Sequence, residues 1–181
     1  VLIRPKRSTL VSRSDVSLSR DFEFRHSKDT WSGVPIVAAN MDTTGLFSIA
    51  KVLQGHSMLT CLQKFYSTRE CAQAWEDGVD PGNVAVTCGS TEESFELLQR
   101  KMATNDRIRM ICIDVANGYR EAFLDFVRRV RGEFPDKIVI AGNVATREMT
   151  EALILAGADI VKVGIGPGSV CTTRKVAGVG Y

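Results

Sequence analysis

Six short apolar runs recur along this chain at a nearly constant interval. They occupy residues 34–39, 58–62, 84–88, 110–115, 138–141 and 160–163, and their starts lie 24, 26, 26, 28 and 22 residues apart. Near-continuous apolar runs of this length suit strands buried on both faces. Between them the apolar residues fall at helical spacing. Tyr119, Phe123, Phe126, Val127, Val130 and Phe134 share one face, and Met149, Ala152, Leu153 and Ala156 form a second stripe that Gly157 stops. Ser67 with Glu70, and Ser90 with Glu93, have the spacing of capping boxes, in which each side chain satisfies an orphan N–H at a helix start. Alternation of strand and helix at this period predicts parallel βα units, here six strands and five complete connecting helices. Two architectures share that pattern. An open doubly wound sheet would be complete at this length. A (β/α)₈ TIM barrel needs about 250 residues, so this chain would hold roughly its first six βα units with the C-terminal part missing.

Residues 1–33 differ in character. They are rich in Arg, Lys and Ser, with Val16, Leu18, Phe22 and Phe24 alternating. An N-terminal basic arm or hairpin over 1–33, packed on a partial barrel over 34–181, is the expected division. The basic run from Arg4 to Arg13 reads as a solvated face. Over all 181 residues, 23 Lys and Arg offset 21 Asp and Glu, and this balance of +2 gives no reason to expect a nucleic-acid partner. No run approaches the roughly 18 apolar residues of a membrane helix, and the N-terminus is too poor in apolar residues for a secretory signal. The first residue is Val, not Met, so a fragment is expected. Five cysteines without a C-x-x-C pair disfavour a disulfide framework or a zinc site and favour a reducing compartment. His26 and His56 are too scattered for a metal cluster and read as structural or surface residues.

The chemistry concentrates after the last apolar run, in Gly164-Ile165-Gly166-Pro167-Gly168-Ser169-Val170-Cys171-Thr172-Thr173-Arg174. Three glycines around one proline make a loop whose backbone can approach a ligand or ion closely. The pattern is not G-x-G-x-x-G, and no long apolar helix follows, so it matches a dinucleotide fingerprint poorly. Cys61, Cys88 and Cys112 lie in apolar runs and Cys71 on a helix, where packing is expected. Cys171 lies beside Arg174 and Lys175, whose charge favours the thiolate, the nucleophilic form. Spacing alone leaves open a nucleophile or an incidental loop thiol. Other strand ends are polar too: Asn40-Met41-Asp42-Thr43, Asp114-Val115-Ala116-Asn117-Gly118 and Gly142-Asn143. Each is ordinary turn chemistry taken singly, but parallel α/β folds bind ligands at the C-terminal ends of their strands.

These segments resemble the IMP dehydrogenase and GMP reductase family, and the reductase branch most. The resemblance rests on Arg4-Pro5-Lys6-Arg7-Ser8, Ala39-Asn40-Met41-Asp42-Thr43, Asp114 through Tyr119, Ala141-Gly142-Asn143-Val144, Lys162 through Arg174, and Gly178-Val179-Gly180-Tyr181. It covers essentially the whole chain. The form of Asp114–Tyr119, and the even βα spacing that leaves no room for a regulatory insertion, favour the reductase over the dehydrogenase. The resemblance implies a (β/α)₈ barrel whose seventh and eighth strands are missing here, with much of the phosphate site and a proton-transferring glutamate. It implies NADPH-dependent reductive deamination of GMP to IMP and ammonia, with Cys171 attacking C2 to form a thioimidate and Thr173 relaying protons. It places NADPH against Lys64, Asp114, Val115, Ala116, Ile165 and Gly166, with Ser12 and Arg13 reaching the cofactor of a neighbouring subunit. It places the substrate phosphate near Ser169, and potassium on the carbonyls of Gly166, Gly168, Cys171 and Arg174. A cytosolic homotetramer is implied, and the chain as given is expected to be inactive alone. Gln63 and Phe65 stand where the reductase pattern has histidines beside Lys64, and Val176-Ala177 follows a dehydrogenase-like pattern. IMP dehydrogenation with NAD and a non-catalytic purine-nucleotide-binding module are the alternatives.

Overall fold

The structure, a computed structural model, describes residues 4–180; Val1–Ile3 and Tyr181, the last residue of the family-like closing segment, lie outside the described residues. A short hairpin comes first, β1 (Arg20–Glu23) against β2 (Thr30–Gly33), antiparallel. Six parallel strands follow, interleaved with helices: β3 (Val37–Ala38), α1 (Phe47–Leu53), β4 (Leu59–Cys61), α2 (Thr68–Glu76), β5 (Val84–Cys88), α3 (Glu92–Met102), β6 (Met110–Asp114), α4 (Glu121–Glu133), β7 (Ile138–Val144), α5 (Arg147–Leu155) and β8 (Ile160–Val163). A last short helix, α6, spans Thr173–Ala177.

Strand order decides between the two architectures. In a doubly wound sheet the order reverses once and helices cover both faces. Here β3 through β8 are hydrogen-bonded in chain order without reversal. Because βα crossovers share one hand, helices accumulate on one face and the other curls inward as a partial barrel. The period-2 alternation of each strand divides the core accordingly. Val86, Ile111, Ile113, Val139 and Ala141 pack outward on α3, α4 and α5 with Phe95, Leu98, Phe126, Val127 and Leu153. Leu59, Ala85, Met110, Cys112, Ile138 and Ile140 face inward. Fully burying a side chain of this size stabilises by about 1.5–3 kcal/mol.

The hairpin closes the N-terminal end of this inner face, where Phe24 and Trp31 join the inward cluster. Two charged fasteners hold it. Asp159, just before β8, accepts the N–H of His26 at 2.9 Å and pairs with Arg131 at 2.6 Å. Arg109, just before β6, pairs with Asp29 at 2.5 Å, and the guanidinium holds that carboxyl below its ordinary pKa.

Local expectations fare unevenly. Ser67 and Glu70 form the capping box of α2. The cap of α3 lies one residue later than expected: Thr91, not Ser90, accepts the N–H of Ser94. Tyr119 precedes α4, and its hydroxyl accepts the N–H of Ala145 at 2.9 Å. The first run is a two-residue strand at the sheet edge, because Pro35 interrupts the ladder. Gly157 ends the α5 turn with φ +111°, a conformation that favours glycine. Among the described residues no helix is long and apolar enough to cross a membrane.

Candidate active site

The C-terminal strand ends gather the polar groups. Asp114, Gly142 and Lys162 stand in one row across β6, β7 and β8. Gly142 has no side chain, and a Cβ there would lie 2.7 Å from the Cβ of Lys162. Lys162 therefore reaches across it: Nζ donates to Oδ1 of Asp114 and, at 3.0 Å, to Oδ1 of Asn40 beyond β3. Burial opposes the charge on Lys162, but the Cys112 sulfur and the Asp114 carboxylate outweigh it and raise its pKa.

The register of β7 on β8 shifts between Gly142 and Val144. At this irregularity Asn143 turns its side-chain amide to the carbonyl of Gly164 at 2.8 Å, while the Gly164 N–H donates to Val144 at 2.7 Å. These two bonds root the glycine-rich loop. Gly164 and Gly166 have φ of +132° and +63°, and the Arg174 side chain folds over Gly166 so closely that a Cβ would sit 2.7 Å from its Cγ. That position accepts only glycine for two independent reasons.

Cys171 is half-buried, whereas Cys61, Cys71, Cys88 and Cys112 are buried. Its sulfur lies 3.4 Å from the hydroxyl of Thr173. Hydrogen bonds from that hydroxyl and from the Thr173 backbone hold the thiol below its ordinary pKa against slight desolvation, and Arg174 adds to the effect. Burial pushes the thiols of Cys71 and Cys88 up instead. Among the five cysteines, Cys171 has the accessibility and electrostatics of a nucleophile.

A cleft of about 570 Å³ opens beside this loop's end of the sheet, lined by Lys64, Thr87, Ser90, Asp114, Val115 and Ala116 among others. The structure thus brings together four residues singled out in the sequence, Lys64, Asp114, Val115 and Ala116. Gly166, Gly168 and Cys171 share the loop and Thr173 and Arg174 open α6 directly after it, with Ile165 buried beneath the loop and Ser169 exposed at its tip. The Gly168 carbonyl accepts the N–H of Cys171 at 3.1 Å. Ile165, Gly166 and Cys171 do not line that cleft, and the structure does not bring Ser12 or Arg13 to it either. Ser12 and Arg13 sit in an exposed turn where Ser12 caps residues Arg13–Asp15. The sequence reading gave no role to Lys162, Gly142 or Thr87. Gly142 stood among the polar strand ends and Lys162 opened a family-like segment, but their row with Asp114 appears only through strand register, and Thr87 looked like an ordinary strand residue. Thr87 lines the cleft, but its hydroxyl is buried beside the Cys112 thiol.

The family model described as the IMP dehydrogenase / GMP reductase domain matches residues 1–181. Proteins named GMP reductase from Edwardsiella ictaluri and Klebsiella pneumoniae are each 56% identical to it over 187 and 184 residues, and one from Vibrio cholerae is 54% identical over 183. Each match takes in 100% of this chain and 53% of the relative, so the chain spans about half the length of these relatives. The crystal structure of inosine 5′-monophosphate dehydrogenase from Legionella pneumophila superposes with a TM-score of 0.78 at 30% identity, covering 99% of this chain and 54% of that one. With consecutive parallel strands, a cysteine loop after the sixth and a family match from end to end, the chain belongs to the IMP dehydrogenase / GMP reductase family.

Proposed function

We propose that this chain is the cysteine-bearing part of an NADPH-dependent reductase that converts GMP to IMP and ammonia. The observation that carries the reading is Cys171: a half-buried thiol with a lowered pKa, on a glycine-rich loop at the ligand-binding end of a parallel barrel sheet. Relatives named GMP reductase at 52–56% identity support the reductase over the dehydrogenase.

In this mechanism the Cys171 thiolate adds to C2 of the purine. The S–C2 bond forms, the C2–N bond breaks, and the amino group takes up a proton to leave as ammonia. Amide anion is far too poor a leaving group without that proton. Thr173 is the proton relay, since its hydroxyl already hydrogen-bonds the sulfur at 3.4 Å. The thioimidate left on Cys171 divides one hard displacement into two easier steps. Bound NADPH supplies the hydride that C2 takes up as the sulfur departs as thiolate and IMP forms. Lys64, Asp114, Val115 and Ala116, with Ile165 and Gly166, hold the cofactor. The cleft suits such a group: it lies within the roughly 300–1,000 Å³ range of ligand pockets, and Lys64 and Asp114 place one charge of each sign in its lining. Ser169, exposed at the loop tip, meets the substrate phosphate.

Potassium suits the loop carbonyls of Gly166, Gly168, Cys171 and Arg174, because main-chain oxygens without a carboxylate match a singly charged hard cation. Such an ion would fix the loop around the nucleophile. Ser12 and Arg13, outside the cleft in this chain, serve the cofactor of a neighbouring subunit in a cytosolic tetramer. The test is NADPH oxidation by the full-length gene product on addition of GMP. Reduction of NAD on addition of IMP, with GMP inert, assigns dehydrogenase activity instead, the activity named for the Legionella structure. The 181-residue chain alone is expected to be inactive.

A further inference from the structure

We infer that Lys162 is a positioning residue for the cofactor: it reaches over Gly142 to pin Asp114 so that the free edge of that carboxylate faces the cleft. The inference rests on the reading that Asp114 holds NADPH, and it adds a residue which that reading does not use.

The geometry is specific. Asp114 and Lys162 lie two strands apart, roughly 9.6 Å at ordinary strand spacing. Asp114 pairs in register with Gly142, and Gly142 with Lys162. Any other residue at 142 would fill the space the lysine crosses, since a Cβ would meet Lys162 at 2.7 Å. The ammonium is largely buried, its side chain 20% exposed, and an unpaired charge there would be costly. It is satisfied by Oδ1 of Asp114 and Oδ1 of Asn40. Oδ2 of Asp114 has no hydrogen-bond partner among the described residues, and Asp114 lines the cleft. One carboxylate oxygen is therefore anchored and the other presented.

A pair that served only the fold would not need this arrangement. Buried ion pairs contribute little net stability compared with apolar replacements, yet this one stands at the ligand end of the barrel, where conserving an apolar interior would be simpler. Its effect is to hold that carboxylate in one orientation, with Asn40 fixing the lysine from the far side. Pre-positioned acceptors of this kind lower the ordering cost of binding.

The test is equilibrium NADPH binding to the full-length protein, followed by cofactor fluorescence, in wild type, Lys162→Met, Asp114→Asn and the double variant, with GMP binding measured alongside. Lys162→Met is expected to weaken NADPH binding roughly 30-fold or more, as truncating one partner of a buried charge pair does. GMP binding should stay within about twofold. Lys162→Met should add nothing to Asp114→Asn if the lysine acts through that carboxylate. Additive losses, or an equal loss of GMP and NADPH binding with a lowered melting temperature, would overturn the inference. Should Lys162→Met not fold, Lys162→Arg carries the test: it keeps the charge but changes the reach, and must weaken NADPH binding while sparing GMP binding, whereas wild-type affinity for NADPH would overturn the proposal. Wild type that binds no NADPH refutes the functional reading itself, and the inference falls with it.

Discussion

Removing the carboxylate of Asp159 should loosen the floor of the barrel without touching the site. The Asp159 side chain is 0% exposed. Oδ1 accepts the N–H of His26 at 2.9 Å and of Ser27 at 3.4 Å; Oδ2 accepts the N–H of Val139 at 3.2 Å and pairs with Arg131 at 2.6 Å. Asp159→Ala leaves three backbone donors unpaired and a guanidinium, 15% exposed, without its counter-charge. Breaking a buried pair on one side costs about 3–5 kcal/mol, and each orphaned donor about 1–3 kcal/mol. These do not add, because the hairpin can retreat to water and because Arg131 keeps the carbonyls of Gly157 and Lys137. A loss of about 4 kcal/mol is expected. Trp31, 6% exposed on β2, reports the same event, since a detached hairpin moves its emission to the red. Urea denaturation followed by both tryptophan emission and circular dichroism measures it. A loss below about 1 kcal/mol with unshifted emission would show that the hairpin is held by its apolar contacts, and the reasoning about Asp159 would fail.

Three further outcomes are expected. The alkylation rate of Cys171 by iodoacetamide should rise with pH and level off below the roughly 8.5 of a free cysteine. The hydrogen bonds from Thr173 lower the pKa, so the thiolate is present at lower pH than usual. Thr173→Val should move that profile upward, and an unmoved profile would remove Thr173 from the account. Met110→Ala, at a fully buried inward position, should cost about 2–5 kcal/mol by chemical denaturation. Ser67→Ala breaks the reciprocal cap of α2 and should cost about 1 kcal/mol, measurable in the same way.

Periodicity carried the reading of the fold a long way, because strands buried on both faces write themselves as uninterrupted apolar runs. The runs at 84–88 and 160–163 coincide with β5 and β8. Spacing alone did not separate a barrel from an open sheet, since both use the same local βα unit. The choice came from family resemblance, and the unreversed strand order supports it in the structure. Short-range chemistry was legible where one residue pair decides it, as at Ser67 and Glu70. It slipped where neighbours compete: Ser90 and Thr91 can both cap, and Thr91 does. The candidate site divides along the same line. Cys171 stood out because its loop is local in sequence. The row of Asp114, Gly142 and Lys162 was illegible because it exists only across three strands, once their register is set.

The covalent step itself is read from the mass of the Cys171 peptide after the full-length protein is mixed with IMP and NADP⁺ and quenched in acid. Reversal of the hydride step should leave a purine nucleotide joined through C2 to that sulfur, and Cys171→Ser should lose both the adduct and at least roughly 10⁴-fold in turnover. An unmodified Cys171 during active turnover, or an adduct on Cys61, Cys71, Cys88 or Cys112 instead, would contradict the assignment of the nucleophile.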